Sequence, residues 1–107
     1  QKMVKNLVLY GFSGFYHCQR NRLQSAIEGL ENVEVVLMED AVVGTTKNET
    51  ETPYTPLIQA NVPLYGLTED IKARGMNPEN LAGGIAPIDY GKLIDLIETS
   101  ERVISWL

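Results

Sequence analysis

The sequence contains very little cysteine and histidine. Its 107 residues include one cysteine, Cys18, and one histidine, His17. A single cysteine cannot form an internal disulfide, and one cysteine with one histidine cannot build a zinc site of the usual four-ligand kind. We therefore predict no metal site and no bound cofactor.

Basic residues are also scarce. The chain has nine Lys and Arg against fourteen Asp and Glu, which gives a formal net charge of -5. The basic residues are scattered, so no stripe of positive charge is available to neutralise a run of phosphates. This composition predicts that the chain does not bind RNA or DNA directly.

Long hydrophobic runs are absent from the sequence. The first apolar run ends at Tyr10 and is followed by glycines and polar residues rather than by more apolar ones. A secretory signal or a membrane-spanning helix needs a longer stretch, about 18 residues for a membrane span. We therefore expect a soluble, cytoplasmic protein without membrane contact.

What the sequence does contain is an alternation of β-prone and helical segments. At 44% apolar residues, the chain can bury one modest core. Alternating strands and helices are typical of a mainly parallel sheet. We predict one small three-layer α/β domain over residues 1–107, with four to five strands flanked by helices. The predicted strands are Val4–Tyr10, Val33–Met38, Val62–Leu67, Ile85–Ile88 and Val103–Leu107.

The helices are indicated by apolar spacing and by residues that start and stop helices. A first helix is predicted within residues 15–30, and residues 44–56 are expected to form a loop or a short frayed helix. Thr68 is predicted to cap the next helix and Gly75 to end it. Asp89 is a predicted N-cap for the last helix, whose apolar face would carry Tyr90, Leu93, Ile94 and Ile97.

Cys18 and His17 are the candidate catalytic residues. Cys18 lies near the predicted start of the first helix, where free backbone N–H groups and the helix dipole favour a thiolate. His17 could accept the thiol proton, although neighbouring residues on a helix point about 100° apart. Alternatively, Cys18 is a small buried hydrophobic residue, as free cysteines often are.

An acidic pair, Glu39 and Asp40, follows the second predicted strand. Carboxyl ends of strands are where open α/β sheets place functional groups. A metal or phosphoacceptor site would need a further acidic residue after the first strand, where Tyr10 and Gly11 stand instead. We interpret the pair as helix-cap or interface residues.

Three aromatic residues are candidates for subunit contacts. Tyr65, Tyr90 and Trp106 combine an apolar ring with a polar group, which suits partly buried interfaces. Tyr65 and Tyr90 could equally be core residues, whereas Trp106 is expected to contact a partner or to cover the edge of the sheet.

Several segments together resemble one protein family. The run Asn61–Gly75 combines a short strand containing Tyr65, an acidic helix start and Ala73-Arg74-Gly75. The segment Ile88-Asp89-Tyr90 precedes the last helix, and the chain reaches Trp106-Leu107. With Val35–Asp40, these segments in this order are similar to the DsrH/TusB family, and the resemblance spans nearly the whole chain.

The resemblance implies an α/β subunit of the DsrE/DsrF/DsrH superfamily. Its members assemble into ring-like hetero-oligomers and pass sulfur as a cysteine persulfide. The sulfur goes either to 2-thiouridine at the tRNA wobble position or into sulfur oxidation. The implied partners are DsrE/TusD-like and DsrF/TusC-like subunits, or further copies of the chain, and the implied activity is that of a sulfurtransferase subunit.

One position departs from part of the family. Some DsrH-type members carry a cysteine within the first helix, where an ungapped count places Ser25 in this chain, seven residues after Cys18. TusB-type members lack that cysteine. The chain is thus either a sulfur carrier through Cys18 or an accessory member. A flavodoxin-like domain that binds a small ligand and a purely structural homo-oligomer are the alternatives.

Overall fold

The computed structural model describes residues 4–12, 23–46 and 53–107. Within them lie five strands, four helical segments and two 3₁₀ turns. The strands are β1 Val4–Tyr10, β2 Val33–Leu37, β3 Leu64–Leu67, β4 Ile85–Ile88 and β5 Ser100–Trp106. The helices are α1, described over 23–27, α2 Thr55–Gln59, α3 Thr68–Ala73 and α4 Tyr90–Thr99, and the 3₁₀ turns are Glu39–Val42 and Pro78–Asn80.

The five strands form one sheet in the order β4-β3-β2-β1-β5, and every pairing is parallel. The prediction of a mainly parallel α/β sheet with four to five strands is confirmed. In this order β1 lies between β2 and β5, whereas the flavodoxin-like order 2-1-3-4-5 places β1 between β2 and β3. The sheet is therefore connected differently from a flavodoxin.

One face of the sheet is covered by α1, α2 and α3. Parallel strands are buried on both faces, which explains why β1 reads as a nearly continuous apolar run. Alternate strand residues point to this face and pack against one or two apolar side chains from each helix. The strand residues are Val8, Tyr10, Val35, Leu37, Leu64 and Ile85, and the helix residues include Leu23, Leu57 and Ile71.

The opposite face is covered by α4, which contributes Leu93 and Leu96. These two leucines pack against the other set of alternating strand residues, which are Leu7, Leu9, Val36, Leu67 and Ile88. The protein therefore has two cores separated by the sheet. Within the described residues, the second core receives its helical side chains from α4.

The predicted helix boundaries are confirmed in part. Asp89 caps α4, since its carboxylate accepts a hydrogen bond of 2.9 Å from the backbone N–H of Lys92. Gly75 ends α3 in the left-handed region at φ +76°. The predicted cap at Thr68 is wrong: Thr68 is already the first helical residue, Leu67 occupies the cap position, and the Thr68 hydroxyl donates to Glu69 instead.

The predicted apolar face of α4 is also wrong in part. Leu93 is buried as expected. The other buried residue of α4 is Leu96, which was not part of the predicted face. Tyr90, Ile94 and Ile97 are 49%, 54% and 37% exposed. The reason is geometric, because residues 93 and 96 face the sheet together while 90, 94 and 97 lie on one flank of that stripe.

Buried polar groups fasten the connections between the elements. The side-chain amide of Asn6 donates to the carbonyl of Glu31 at 2.7 Å, which ties β1 to the turn before β2. The buried hydroxyl of Tyr54 donates to the carbonyl of Ala41, and the buried hydroxyl of Thr45 to that of Val42. Tyr54 thus links the start of α2 to the first 3₁₀ turn. Thr45 links the chain that follows this turn to the turn itself.

Candidate functional site

The carboxyl ends of the strands bring several polar side chains to one edge of the sheet. At this edge the chain leaves β1 through Gly11, whose N–H donates to the carbonyl of Trp106 at 2.9 Å. A Cβ atom at Gly11 would lie 2.6 Å from Glu39 Oε1 and 3.0 Å from Leu107 Cδ2. A side chain at this position would therefore require the Glu39 and Leu107 side chains to shift, because both lie close to the backbone of Gly11.

Glu39 has an unusual backbone conformation. Its φ is +52°, in the left-handed region that costs a residue with a Cβ atom roughly 1 to 2 kcal/mol. The N–H of Glu39 donates to Asp70 Oδ2 at 2.6 Å. This charge-assisted hydrogen bond joins the end of β2 to α3 and offsets the backbone strain.

Asp40 and Arg74 make a second link between the same two elements. Arg74 Nη2 lies 3.0 Å from Asp40 Oδ1, and Arg74 Nη1 also donates to the backbone carbonyl of Asp70. The Asp40 side chain is 70% exposed, so the ion pair itself stabilises the fold only slightly. Its effect is to hold the Arg74 side chain across the start of α3 rather than in solvent.

Glu69 connects α3 to α4 at this edge. Its carboxylate accepts a hydrogen bond of 3.4 Å from the backbone N–H of Tyr90 and one of 3.1 Å from the Thr68 hydroxyl. At this edge, the carboxylates of Asp40, Glu69 and Asp70 thus accept hydrogen bonds from backbone and side-chain donors. Glu39 and Asp40 lie in the first turn of the 3₁₀ helix, and Met38 occupies its cap position. The pair therefore does not cap this helix, and its interpretation as interface residues stays a prediction.

The two candidate catalytic residues lie outside the described residues. Cys18 and His17 fall in the segment 13–22, so their roles stay predictions. The chain enters that segment after Phe12, whose ring packs edge-on against Tyr10 with ring centroids 5.7 Å apart. The described part of the edge ends at this aromatic pair.

Tyr65 lies on the face of the sheet that α4 covers. It is half-buried and pairs with Val36 across β2 and β3. Its hydroxyl donates to Glu34 Oε1 at 2.7 Å. Burial, together with the hydrogen bond to the Glu34 carboxylate and its charge, raises the pKa of Tyr65 from 10.0 to about 12.

The other two predicted interface residues are more exposed. Tyr90 begins α4 and is 49% exposed, and Trp106 is the last residue of β5 and is 37% exposed. Trp106 is paired with Tyr10, so it lies on the sheet face opposite that of Tyr65. The three aromatic residues therefore do not form one patch, and their role as interface residues stays a prediction.

A cleft of about 680 Å³ opens at the other end of the sheet, where the strands begin. It is lined by residues that include Ile27, Leu30, Val33 and Pro63. Tyr65, Tyr90 and Trp106 are not among its lining residues. Within the described residues, this cleft and the predicted site residues therefore do not coincide.

Two further features are absent from the ranges 4–12, 23–46 and 53–107. In those ranges, no group of three or more His, Cys, Asp or Glu side chains is arranged to hold a metal ion. None of the helices found there is long and apolar enough to cross a membrane.

The links through Asp70 and Arg74 were missed by sequence reasoning. In the sequence, Asp70 belongs to the acidic start of the predicted helix and Arg74 to the segment Ala73-Arg74-Gly75 at its end, and neither was predicted to contact the end of β2. A signal was present, because β2 and β3 are consecutive, and consecutive strands are neighbours in most sheets. Residues that follow them, such as Glu39 and Asp70, are then expected to meet at the carboxyl edge.

Comparison with known proteins identifies both a family and a fold. The family profile described as "DsrH like protein" matches residues 17–103. The YchN protein from E. coli has a similar structure, with a TM-score of 0.75 and 20% identity, covering 97% of this chain and 100% of that one. A search of curated proteins gives no match.

Two further solved structures share the fold. Protein Tm0979 from Thermotoga maritima has a TM-score of 0.57 and 24% identity, covering 87% of this chain and 91% of that one. Protein MTH1491 from Methanobacterium thermoautotrophicum, titled a protein of unknown function, has a TM-score of 0.59 and 13% identity, covering 92% and 98%. At these identities the three structures establish the fold alone.

The hydrogen bond between Glu39 and Asp70 can be tested by mutation. Asp70→Ala removes the acceptor of the Glu39 N–H, and we expect the free energy of unfolding to fall by about 1 kcal/mol in urea titrations. Asp70→Asn keeps an acceptor oxygen and should retain part of that stability. Glu79→Ala, at an exposed acid, is the control; equal effects of Asp70→Ala and Glu79→Ala would contradict the assignment.

Stability at alkaline pH tests the environment of Tyr65. Because its pKa is raised from 10.0 to about 12, the folded protein keeps a proton that the unfolded chain releases as pH rises through 10. The resulting stability is complete below pH 10 and is lost as pH rises toward 12. Tyr65→Phe should therefore reduce the alkaline loss of unfolding free energy.

Tyr90→Phe, at an exposed tyrosine, is the control for that experiment. Burial also raises the pKa of Tyr54, so Tyr65→Phe should reduce the pH dependence between 10 and 12 without abolishing it. Superimposable stability profiles for the wild type and Tyr65→Phe would show that Tyr65 is not held as described.

Proposed function

The chain belongs to the DsrH-like family, and from that premise we propose that it is a subunit of a sulfur-relay complex. The observation that carries the proposal is the family match over residues 17–103, which takes in β2 to α4 and reaches into β5. In such a complex, persulfide sulfur is passed between subunits and then to an acceptor. The acceptor is either the wobble uridine of tRNA, in 2-thiolation, or the machinery of sulfur oxidation.

Persulfide transfer requires a thiolate on the receiving protein. The thiolate attacks the outer sulfur of the donor's persulfide, a new S–S bond forms, and the donor cysteine leaves as a thiolate. Cys18 is the one cysteine of this chain, so a carrier role depends on it alone. His17 would accept the proton of the Cys18 thiol.

We favour the accessory role over the carrier role. The position that carries a cysteine in some DsrH-type members corresponds to Ser25, which is exposed on α1. A hydroxyl group at this position cannot hold a persulfide. An accessory subunit would hold the sulfur-carrying subunit and its acceptor together without accepting sulfur itself.

The proposed partners are a DsrE/TusD-like and a DsrF/TusC-like subunit. Tyr65, Tyr90 and Trp106 are proposed contact residues, each with a partly exposed aromatic side chain. The formal net charge of -5 supports an indirect relation to tRNA, in which another subunit contacts the nucleic acid. The proposed location of the complex is the cytoplasm.

Co-purification followed by intact mass measurement tests both the function and the role. The tagged chain, expressed in its native host, should retain DsrE- and DsrF-like chains, and their absence would contradict the proposed function. Treated with a persulfide donor, the purified wild type should gain no sulfur, whereas Ser25→Cys should gain one sulfur atom. Cys18→Ser is the control that separates the two cysteines.

A gain of one sulfur on the wild type that Cys18→Ser abolishes would assign the carrier role to Cys18. That result would overturn the accessory role and leave the sulfur-relay function in place. Retention of the DsrE- and DsrF-like chains by Cys18→Ser would show that assembly does not depend on the thiol.

A further inference from the structure

The exposed large hydrophobic side chains of the described residues are all in one part of the chain. They lie in α4, in β5 and at the residue after β5, and nowhere else within 4–12, 23–46 and 53–107. We define the α4–β5 surface as Tyr90, Ile94, Ile97 and Val103. The other two exposed residues, Trp106 and Leu107, lie at the carboxyl edge.

The four residues of the α4–β5 surface share one side of the sheet. Val103 is paired with Leu7, which packs in the core beneath α4. Tyr90, Ile94 and Ile97 lie on one flank of the stripe formed by the buried leucines of α4. In a right-handed crossover from β4 to β5, that flank is the one nearer β5.

This surface leaves a parallel sheet incompletely covered. Parallel sheets normally have helices over both faces, because both faces are apolar. Here β5 is an edge strand, and Val103 remains 39% exposed on the face that α4 covers. Exposed apolar residues that lie together beside an open strand edge are typical of a binding surface.

Carboxylates surround the α4–β5 surface. Glu98 lies one helical turn after Ile94, and Glu101 lies two residues before Val103 on the same face of β5. Glu69 lies at the start of α4, where its carboxylate accepts a hydrogen bond from the backbone N–H of Tyr90. The rim therefore carries negative charge along α4, along β5 and at the start of α4.

The basic residues nearby point mostly elsewhere. Lys92 lies on the opposite flank of α4 from Ile94, and Arg102 lies on the opposite face of β5 from Val103. Lys5, beside Glu101 in the register of β1 and β5, is the cation that remains at the rim. Three carboxylates against one ammonium group leave the rim net acidic.

We propose that the α4–β5 surface binds a different protein subunit. That partner presents a matching apolar patch, which is surrounded by lysine and arginine residues. The inference rests on the proposed function, which supplies the complex. A second copy of this chain fits less well, because a two-fold interface would bring the acidic rim against itself. Anionic lipid and nucleic acid would be repelled by the same carboxylates.

Binding kinetics with the purified DsrE- and DsrF-like subunits of the same host test this surface. Glu98→Lys/Glu101→Lys should slow association by roughly 10-fold at low salt, and the difference should shrink as salt is raised. Ile94→Ser/Val103→Ser should speed dissociation by about 10-fold, because the apolar centre is lost. Glu28→Lys/Glu79→Lys, at exposed acids outside this surface, is the control.

The outcomes separate this inference from the proposed function. If the subunits bind and both surface variants behave like the control, the surface is wrong and the function stands. If the chain alone sediments as a dimer that Ile94→Ser/Val103→Ser dissociates, the occupant is a second copy and the inference is overturned. If neither subunit binds the wild type, the proposed function fails together with the inference.

Discussion

A parallel sheet needs apolar cover on both of its faces, and this requirement organises the whole structure. β1 is buried on both sides because it lies between β2 and β5, with helices above and below. Three helices cover one face, whereas α4 alone contributes the helical side chains to the other core within the described residues. The difference between the two faces is why hydrophobic residues remain exposed along α4 and β5.

The carboxyl edge of the sheet is held together by acidic side chains. Asp70 satisfies the strained backbone at Glu39, Arg74 reaches Asp40, and Glu69 binds the first amide of α4. Carboxylates used in this way hold strands and helices in register. Because these carboxylates have structural roles, the proposed sulfur chemistry would take place at Cys18 or on the partner subunits.

This division of labour agrees with an accessory subunit. Such a subunit needs a rigid edge and a surface that a partner recognises, and it needs no reactive thiol of its own. The serine at position 25, exposed on α1, and the acidic rim around Ile94 and Val103 both support that role. The negative charge of the rim would then select the partner, and the aliphatic side chains would supply the apolar area that is buried in the interface.

Much of the fold was predictable from local sequence, and side-chain orientation was less so. The run Val4–Tyr10 and the cap at Asp89 were predicted correctly, because each depends on the residues themselves. The orientation of Ile94 and Ile97 was not, since it depends on how α4 lies across the sheet. The left-handed Glu39 could not be foreseen, because its N–H is satisfied by Asp70, a residue 31 positions further along the chain.

Amide hydrogen exchange of β5 and α4 tests the central claim most directly. The chain would be measured alone and in complex with its DsrE- and DsrF-like subunits. The account predicts that exchange slows in Ser100–Trp106 and Tyr90–Thr99 when the complex forms, while α2, on the other face, is unchanged. Equal exchange in both segments with and without the subunits would contradict it.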